Sequence, residues 1–503
     1  FCEHYESQLL QQSKLTKHQR EKFEEIQRAK SPTMHVSANA GSGKTFLAVN
    51  LVIQTLKETK GQILFIAPAL QLCLYFVRWL GRRGKDEKLP LTNLLQRIVI
   101  CTPKESFLKL TIKGKKLEAF TDSDCRLCNT EFDLTVVDEA HDIYRDDVLE
   151  SGFLKKVKTK RWLLLSNLSQ SSVLTPKFPT DMVEVKLTEV VRCTKRIVAG
   201  AAAFHATPSD KEGLALLSPD GPPLKTFLFE TTDGESDYVT YVDPSVQAIR
   251  YIAHAYPGLS LHNRVALLVS DDHFRQKFEE TLQAKLKIGE RKFGFTTFQE
   301  SMSVLPLELL EDQGSEKRDD QEMIILDTVE HAKGLEQLFV ICINLDSEIK
   351  GNGSETDAKT RAMIYQGLTR AQLQAVVVNK LVKGGWFEFL GLIDPKIRRF
   401  EERAAMEETT VRPANQIISV GKPKESKSPV AKHASSVWDT SEIQITASEN
   451  PTMFDPFVKA AAFHVANTNT SVFDNTAEQS PPPAMTPVRF DPRLASVDGR
   501  VEE

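Results

Sequence analysis

Ala38-Asn39-Ala40-Gly41-Ser42-Gly43-Lys44-Thr45 is the stretch on which the reading of this chain turns. An apolar run, Met34–Ser37, precedes it, and an amphipathic run opens near Thr45, so the order strand, glycine-rich turn, helix is expected. Glycines let backbone amides converge on phosphate groups at the positive end of a helix dipole. Ala40, Gly41, Ser42 and Gly43 form the expected cradle. Lys44 is placed to neutralise β- and γ-phosphates and the Thr45 hydroxyl to ligate Mg²⁺. Ala38 stands at the first position of the general P-loop pattern, where Gly is usual and another small residue is tolerated.

A phosphate site of this kind needs a carboxylate facing it, and the sequence supplies one. Leu134-Thr135-Val136-Val137 reads as a buried strand that ends in Asp138-Glu139-Ala140-His141. A carboxylate at the C-terminal end of a strand can hold the metal opposite Thr45, and a second beside it can polarise a water. Asp138 is therefore assigned to Mg²⁺ and Glu139 to the general base. Two acidic residues after an apolar run are common in α/β proteins, and the pair gains meaning from Lys44 upstream.

The surroundings agree with a parallel α/β fold. Short β-branched and aromatic runs alternate with longer amphipathic ones from about residue 12 to about residue 400. Strands are expected at Met34–Ser37, Ile63–Ala67, Arg97–Cys101, Leu134–Val137, Trp162–Leu165, Val265–Val269, Glu322–Leu326, Phe339–Asn344 and Ala375–Asn379. Several are continuous apolar runs, as a sheet covered on both faces requires. With 503 residues, 41% hydrophobic and 26% charged, the chain is long enough for two cores and a tail. No apolar run approaches membrane-spanning length, and seven scattered cysteines do not make a disulfide framework, so a soluble intracellular protein is expected. The sequence begins at Phe1 rather than Met, and an N-terminal stretch outside it is expected. The net charge of −4 is compatible with a nucleic-acid path, which needs only a local basic strip.

In order and spacing the motifs resemble the UvrD/Rep-like branch of the superfamily 1 helicases, from residue 15 to residue 380. Leu15-Thr16-Lys17-His18-Gln19 is similar to that family's upstream motif, which implies that Gln19 binds the adenine edge. Ile63–Pro68 and Thr102–Phe107 stand where the family contacts single strands. Leu163–Gln170 resembles the motif whose Gln senses the γ-phosphate, implying that role for Gln170, although Ser166-Asn167 replaces the usual Gly-Asp. Leu187–Arg192 resembles the Asn-Tyr-Arg segment and implies Arg192 as an arginine finger, with Val191 in place of a stacking aromatic. Thr328–Glu336 is close to the Lys-Gly-Leu-Glu motif, implying Glu336 at the ribose. Tyr365-Gln366-Gly367-Leu368-Thr369-Arg370-Ala371 is close to the last motif, implying Arg370 as a second finger.

The resemblance implies two RecA-like P-loop lobes with parallel β-sheets, 1–180 and 181–400; the Ser-, Thr-, Pro-, Ala- and Asn-rich composition after them predicts a disordered tail at 401–503. It also implies ATP with Mg²⁺ and a partner strand of single-stranded DNA or RNA. Two functions stay open: a helicase or single-strand translocase, and an ATP-binding switch that recruits partners through its tail. The gaps between motifs leave little room for large accessory subdomains, and a Schlafen-like helicase lobe shares the motifs. Arg78, Arg82 and Arg83, with Tyr75, Phe76, Trp79 and Phe107, are the candidate strand contacts, and Lys155–Arg161 is a basic run that reads first as solvated surface. Cys125 and Cys128 have half the spacing of a zinc site and no second half nearby. The tail repeats an aromatic followed by Asp at Trp438-Asp439, Phe454-Asp455, Phe473-Asp474 and Phe490-Asp491, a pattern that fits serial docking onto a protein partner or plain compositional bias.

Overall fold

The computed structural model describes residues 15–388, apart from 30, 40, 105–106, 122–129, 146–147, 149–151, 168–175, 192, 205–214, 217–218, 231–236, 311–320 and 352–353. The chain divides into compact units at Phe1–Ser419 and Val420–Glu503, and all described residues fall in the first. The tail, with its aromatic-Asp repeats, and the Cys125/Cys128 pair lie outside them.

Two α/β lobes make up the first unit. In chain order, the first sheet comprises β1 (Thr33–Ala38), β2 (Ile63–Ile66), β3 (Ile98–Cys101), β4 (Leu108–Lys113), β5 (Lys116–Thr121), β6 (Leu134–Val137), β7 (Trp162–Ser166) and β8 (Val183–Leu187). Its spatial order is β8-β1-β7-β6-β2-β3-β4-β5, parallel except for the β4–β5 hairpin. The second sheet comprises β9 (Lys225–Phe229), β10 (Val265–Val269), β11 (Lys292–Thr296), β12 (Gln321–Thr328), β13 (Gln337–Ile343) and β14 (Ala371–Lys380), in the order β9-β14-β13-β10-β12-β11 and all parallel. These are two RecA-like lobes.

The strands read as continuous apolar runs are the buried centre of each sheet. β2, β3 and β6 are buried at every residue, as are β10 and β13. Each fully buried Leu, Ile or Phe contributes about 1.5–3 kcal/mol, which makes the two sheet cores the main source of stability. The strands missed by the sequence reading lie at the margins of the sheets, Leu108–Lys113 being one strand in from the edge strand Lys116–Thr121. Leu108–Lys113 buries only alternate residues early in its length, Lys116–Thr121 and Val183–Leu187 are mixed in burial, and Lys225–Phe229 is half-buried throughout. An edge strand need not be apolar on both faces, so its periodicity is faint. One boundary moves: β8 pairs with β1, so the first sheet extends through Leu187 rather than stopping at residue 180.

Helices α1 (Lys17–Arg28), α2 (Lys44–Glu58) and α3 (Leu70–Asp86) serve the first lobe. α1 begins on a capping box between Thr16 and Gln19. α2 is apolar over most of its surface, with Phe46, Leu47, Val49, Leu51, Val52 and Leu56 buried, because it lies between the sheet and α3. α3 reaches the second lobe: the Arg78 guanidinium donates to the Ser301 carbonyl at 3.2 Å, Arg82 pairs with Glu308 at 2.6 Å, and Lys85 Nζ donates to the Glu308 carbonyl at 2.8 Å. Parallel strands place all their C-terminal ends on one edge of a sheet, which is where α/β proteins build sites.

Candidate nucleotide site between the lobes

The site is assembled at the C-terminal edge of the first sheet, where β1, β7 and β6 lie side by side. After β1 the chain turns through Gly41 at φ +73° and Gly43 at φ +87°, then enters α2 at Lys44. Both values lie in the left-handed region, open to glycine at little cost. Space enforces the same choice, since a Cβ at Gly43 would fall 2.5 Å from Gln19 Nε2. The turn leaves the first amides of α2 without helical partners, which makes a phosphate cradle. Ala40 lies outside the described residues, while Ser42 Oγ braces the turn by donating to the Asn39 carbonyl at 2.8 Å.

Lys44 is buried and folds back on its own loop, donating to the carbonyls of Ala38 at 3.2 Å and Asn39 at 3.4 Å. Burial lowers its pKa, against the pull of Glu139 and Asp138. Thr45 Oγ1 donates to Asp138 Oδ2 at 3.2 Å, so hydroxyl and carboxylate converge on one point from different elements. Asp138 Oδ1 accepts from the Glu139 amide at 3.0 Å. Burial, then the neighbouring Glu139, pushes the Asp138 carboxyl up to about 7.

Glu139 is held differently. Its backbone sits at φ +47°, ψ +48°, a left-handed conformation rare for a side chain of this size, at the start of a short helix, Ala140–Ile143. Burial opposes its charge, but His141, Lys44, Arg370 and Lys333 together outweigh burial and hold its pKa down. Glu139 Oε2 is 3.5 Å from His141 Nδ1 and, among the described residues, has no hydrogen-bond partner. A buried carboxylate oxygen with no hydrogen-bond partner among the described residues is able to accept from a water. His141 Nδ1 also accepts from the Asn167 amide at 3.4 Å, which ties the acidic loop to the end of β7.

The second lobe closes over this edge. Arg370 is buried at the end of α8 (Glu355–Thr369, with α4 Lys195–Ala202, α5 Val242–Ala255, α6 Asp272–Lys285 and α7 Phe298–Ser303 preceding it), where Nη1 donates to the Leu335 carbonyl and Nε to the Gln366 carbonyl, both at 3.3 Å. Its charge is felt at both Lys44 and Glu139. Glu336 accepts from Gln372 Nε2 at 3.1 Å and also acts on Lys44. Gly334, at φ +71°, approaches so closely that a Cβ there would lie 3.3 Å from Glu139 Oε1. Lys333 Nζ pairs with Asp142 at 3.3 Å across the lobes, and Gln71 Nε2 donates to the His331 carbonyl at 3.2 Å.

The structure thus brings together Lys44, Thr45, Asp138, Glu139, Glu336 and Arg370, while Gln170 and Arg192 lie outside the described residues. Gln19 is placed beneath the loop and bonded to it. Sequence reasoning missed Asp142, Lys333, Gly334 and Gln372 as site supports, although each sits inside or beside a motif it had marked. Of the proposed strand contacts on α3, those at Arg78, Arg83 and Phe76 are corrected. Arg78 is taken up by Ser301 and Met302, and burial pushes its guanidinium down to about 10; Arg83 bonds Asn50 and Glu87, and Phe76 is stacked under Phe65 at 3.9 Å. These groups face the packing of α3 rather than an open groove, because the apolar side of α3 and the second lobe take up both of its flanks. In the basic run, Lys155, Lys156, Lys158 and Lys160 are exposed, with Lys160 paired to Asp133 at 2.7 Å.

The residues present suit a magnesium nucleotide. Thr45 and Asp138 offer two hard oxygens, the donor type that Mg²⁺ takes alongside phosphate and water oxygens. Among the described residues no cluster of three His, Cys, Asp or Glu side chains is built to hold a metal without such help. Residues 16–168 match the DEAD/DEAH box helicase family. The first lobe is a helicase-type P-loop NTPase domain. The matched segment of this NTPase domain runs from the Thr16 cap of α1 to just beyond β7, so it takes in the cradle, the acidic pair and His141. Helicase domains of this type use ATP and act on nucleic acid. No curated protein matches the chain. Among the described residues no helix is long and apolar enough to cross a membrane.

Proposed function

We propose that this protein is an ATP-driven single-strand translocase or helicase of the superfamily 1, UvrD/Rep-like kind, hydrolysing ATP between its two lobes. The observation that carries this reading is the approach of Arg370, Glu336 and Gly334 to Lys44, Asp138 and Glu139, groups that lie about two hundred residues or more apart in sequence. A P-loop match confined to 16–168 points by its family description toward superfamily 2. The second-lobe motifs, Thr328–Glu336 and Tyr365–Ala371, support the superfamily 1 placement, because their glycine, glutamate and arginine reach the cleft.

The roles follow from position. Amides of Gly41 to Thr45 and the Lys44 ammonium hold the phosphates, with Thr45 and Asp138 taking the metal. Mg²⁺, when bound, neutralises charge on the phosphate oxygens. Glu139 orients a water and takes its proton as the oxygen attacks the γ-phosphorus and the bond to ADP breaks. Arg370 stabilises charge growing on the γ-phosphoryl oxygens; because it comes from the facing lobe, turnover requires closure. Lobes that grip a strand differently before and after hydrolysis turn that cycle into stepping. Among the described residues between β3 and β6 the β4–β5 hairpin is a small addition, which supports movement along one strand more than separation of two.

The test is ATP hydrolysis measured alone and with single-stranded DNA or RNA. Stimulation by either strand is expected, and turnover indifferent to both would favour an ATP-binding switch that works through its tail.

A further inference from the structure

Lys333 and Asp142 come from different lobes and meet beside the turn that carries Glu139. Lys333 Nζ lies 3.3 Å from Asp142 Oδ2 and 2.8 Å from Glu330 Oε1 on its own loop. Exposure sets this cross-lobe pair apart from that of Arg82 with Glu308: its side chains are 19% and 12% exposed, against 36% and 53%. An exposed pair is weakened by water and salt, whereas a largely buried one keeps more of its attraction.

Asp142 is built into the base-bearing turn, since its amide donates to the Glu139 carbonyl at 2.9 Å at the start of Ala140–Ile143. The left-handed backbone of Glu139 is a costly conformation that lasts only where its neighbours enforce it. The first lobe supplies part of that enforcement, through the Glu139 amide donating to Asp138 Oδ1 at 3.0 Å and the Tyr144 amide to the Ala140 carbonyl at 2.9 Å. The second lobe adds to it. Lys333 grips Asp142, and the next residue, Gly334, stands so near that a Cβ on it would lie 3.3 Å from Glu139 Oε1. The loop bearing both is fastened to the start of α3, where Gln71 Nε2 donates to the His331 carbonyl at 3.2 Å. Lobes moving apart would withdraw Lys333 and Gly334 together. Resting on the proposed ATPase reading, we infer that the Lys333–Asp142 pair is a latch through which the second lobe sets the turn bearing Glu139, making both residues positioning residues for the base. The phosphate loop from Gly41 to Thr45 belongs to the first lobe, so losing the latch displaces the carboxylate and leaves the phosphate site standing.

The test is a double-mutant cycle on ATP turnover by the full chain, with Lys333→Met, Asp142→Asn and the two combined. Each single variant is expected to lower kcat by about ten- to a hundredfold, the cost of a misplaced catalytic group. Competition against a fluorescent ATP analogue should show affinity for ATP kept within about threefold, a split that a general loss of structure would not give. The combined variant should fall no further than the more severe single one, because its second substitution removes a contact already lost. Glu330→Gln takes away the exposed partner of Lys333 and should leave kcat within about twofold. Losses that multiply in the combined variant, or a loss in Glu330→Gln as large as that in Lys333→Met, would overturn the latch while the ATPase reading stood. An unaltered chain that binds ATP without turning it over would instead refute that reading, and the positioning role with it.

Discussion

Glu139 combines a strained backbone, a buried charge and an unpartnered oxygen. Such features cost stability and persist where the surroundings enforce them. Glu139→Gln keeps the shape and removes the base, so ATP binding should remain while turnover falls by about 10²–10⁴-fold. Lys44→Ala should lose hydrolysis and weaken nucleotide binding together, as read by equilibrium binding and steady-state rates. Unchanged turnover in Glu139→Gln would end the base assignment. Asp138 supplies a pH signature. Folding raises its pKa to about 7, so its contribution to stability is fully present below its ordinary carboxylate range and is lost as pH rises through about 7. Metal binding needs the ionised form, so Mg²⁺ affinity at fixed ATP should climb up to about tenfold per pH unit below 7 and level off above it. A Mg²⁺ titration of the ATPase that is flat from pH 6 to pH 8 would contradict this.

At the scale of elements, the phosphate loop depends on a turn that only glycine fits without strain. Gly43→Ala meets two penalties, a left-handed φ of +87° and a Cβ placed 2.5 Å from Gln19 Nε2. The backbone penalty alone is about 1–2 kcal/mol, and relief by moving Gln19 would loosen both the loop and the cap of α1. The expected outcome is a lower unfolding midpoint together with loss of ATP binding. A fully stable variant that binds ATP normally would show that the loop is not held as tightly as these distances imply. The β4–β5 hairpin illustrates the opposite case, an element with little apolar signal. Its outer strand pairs with β4, bridges to Val304 at Lys116 and carries exposed Phe120, and its turn meets the second lobe where the Leu305 amide donates to the Lys115 carbonyl at 2.7 Å. Contacts of that kind depend on where another part of the chain arrives, and no local pattern announces them.

For the whole molecule the decisive feature is the seam between lobes. Arg78 is a part-buried charge within it, and its partners, Ser301 and Met302, belong to the second lobe. Arg78→Ala should cost about 1.5–3 kcal/mol, seen as a lower urea midpoint, and should slow ATP turnover by favouring open lobes. Lys85→Ala removes an exposed bond to the Glu308 carbonyl and should stay within about 0.5 kcal/mol. Equal effects from the two variants would show that the seam is not held at Arg78.

Much of this molecule was legible before any coordinates. Glycines followed by Lys44 and Thr45, and Asp138-Glu139 after a buried strand, define a phosphate and metal site because local backbone conformation and strand direction suffice to specify them. Central strands were readable for the same reason, since burial on both faces writes itself as an unbroken apolar run. Edge strands, the extension of the first sheet through Leu187 and the fate of the α3 arginines were not readable, because burial there is shared with distant segments. Nor could sequence show that the Gln19 amide bonds the Ser42 carbonyl, 23 residues away. The amino-acid order by itself determined which chemistry the chain carries; only the tertiary structure decided which groups remain free to perform it, because a hydrogen bond or a charge acts through distance in space and not along the chain.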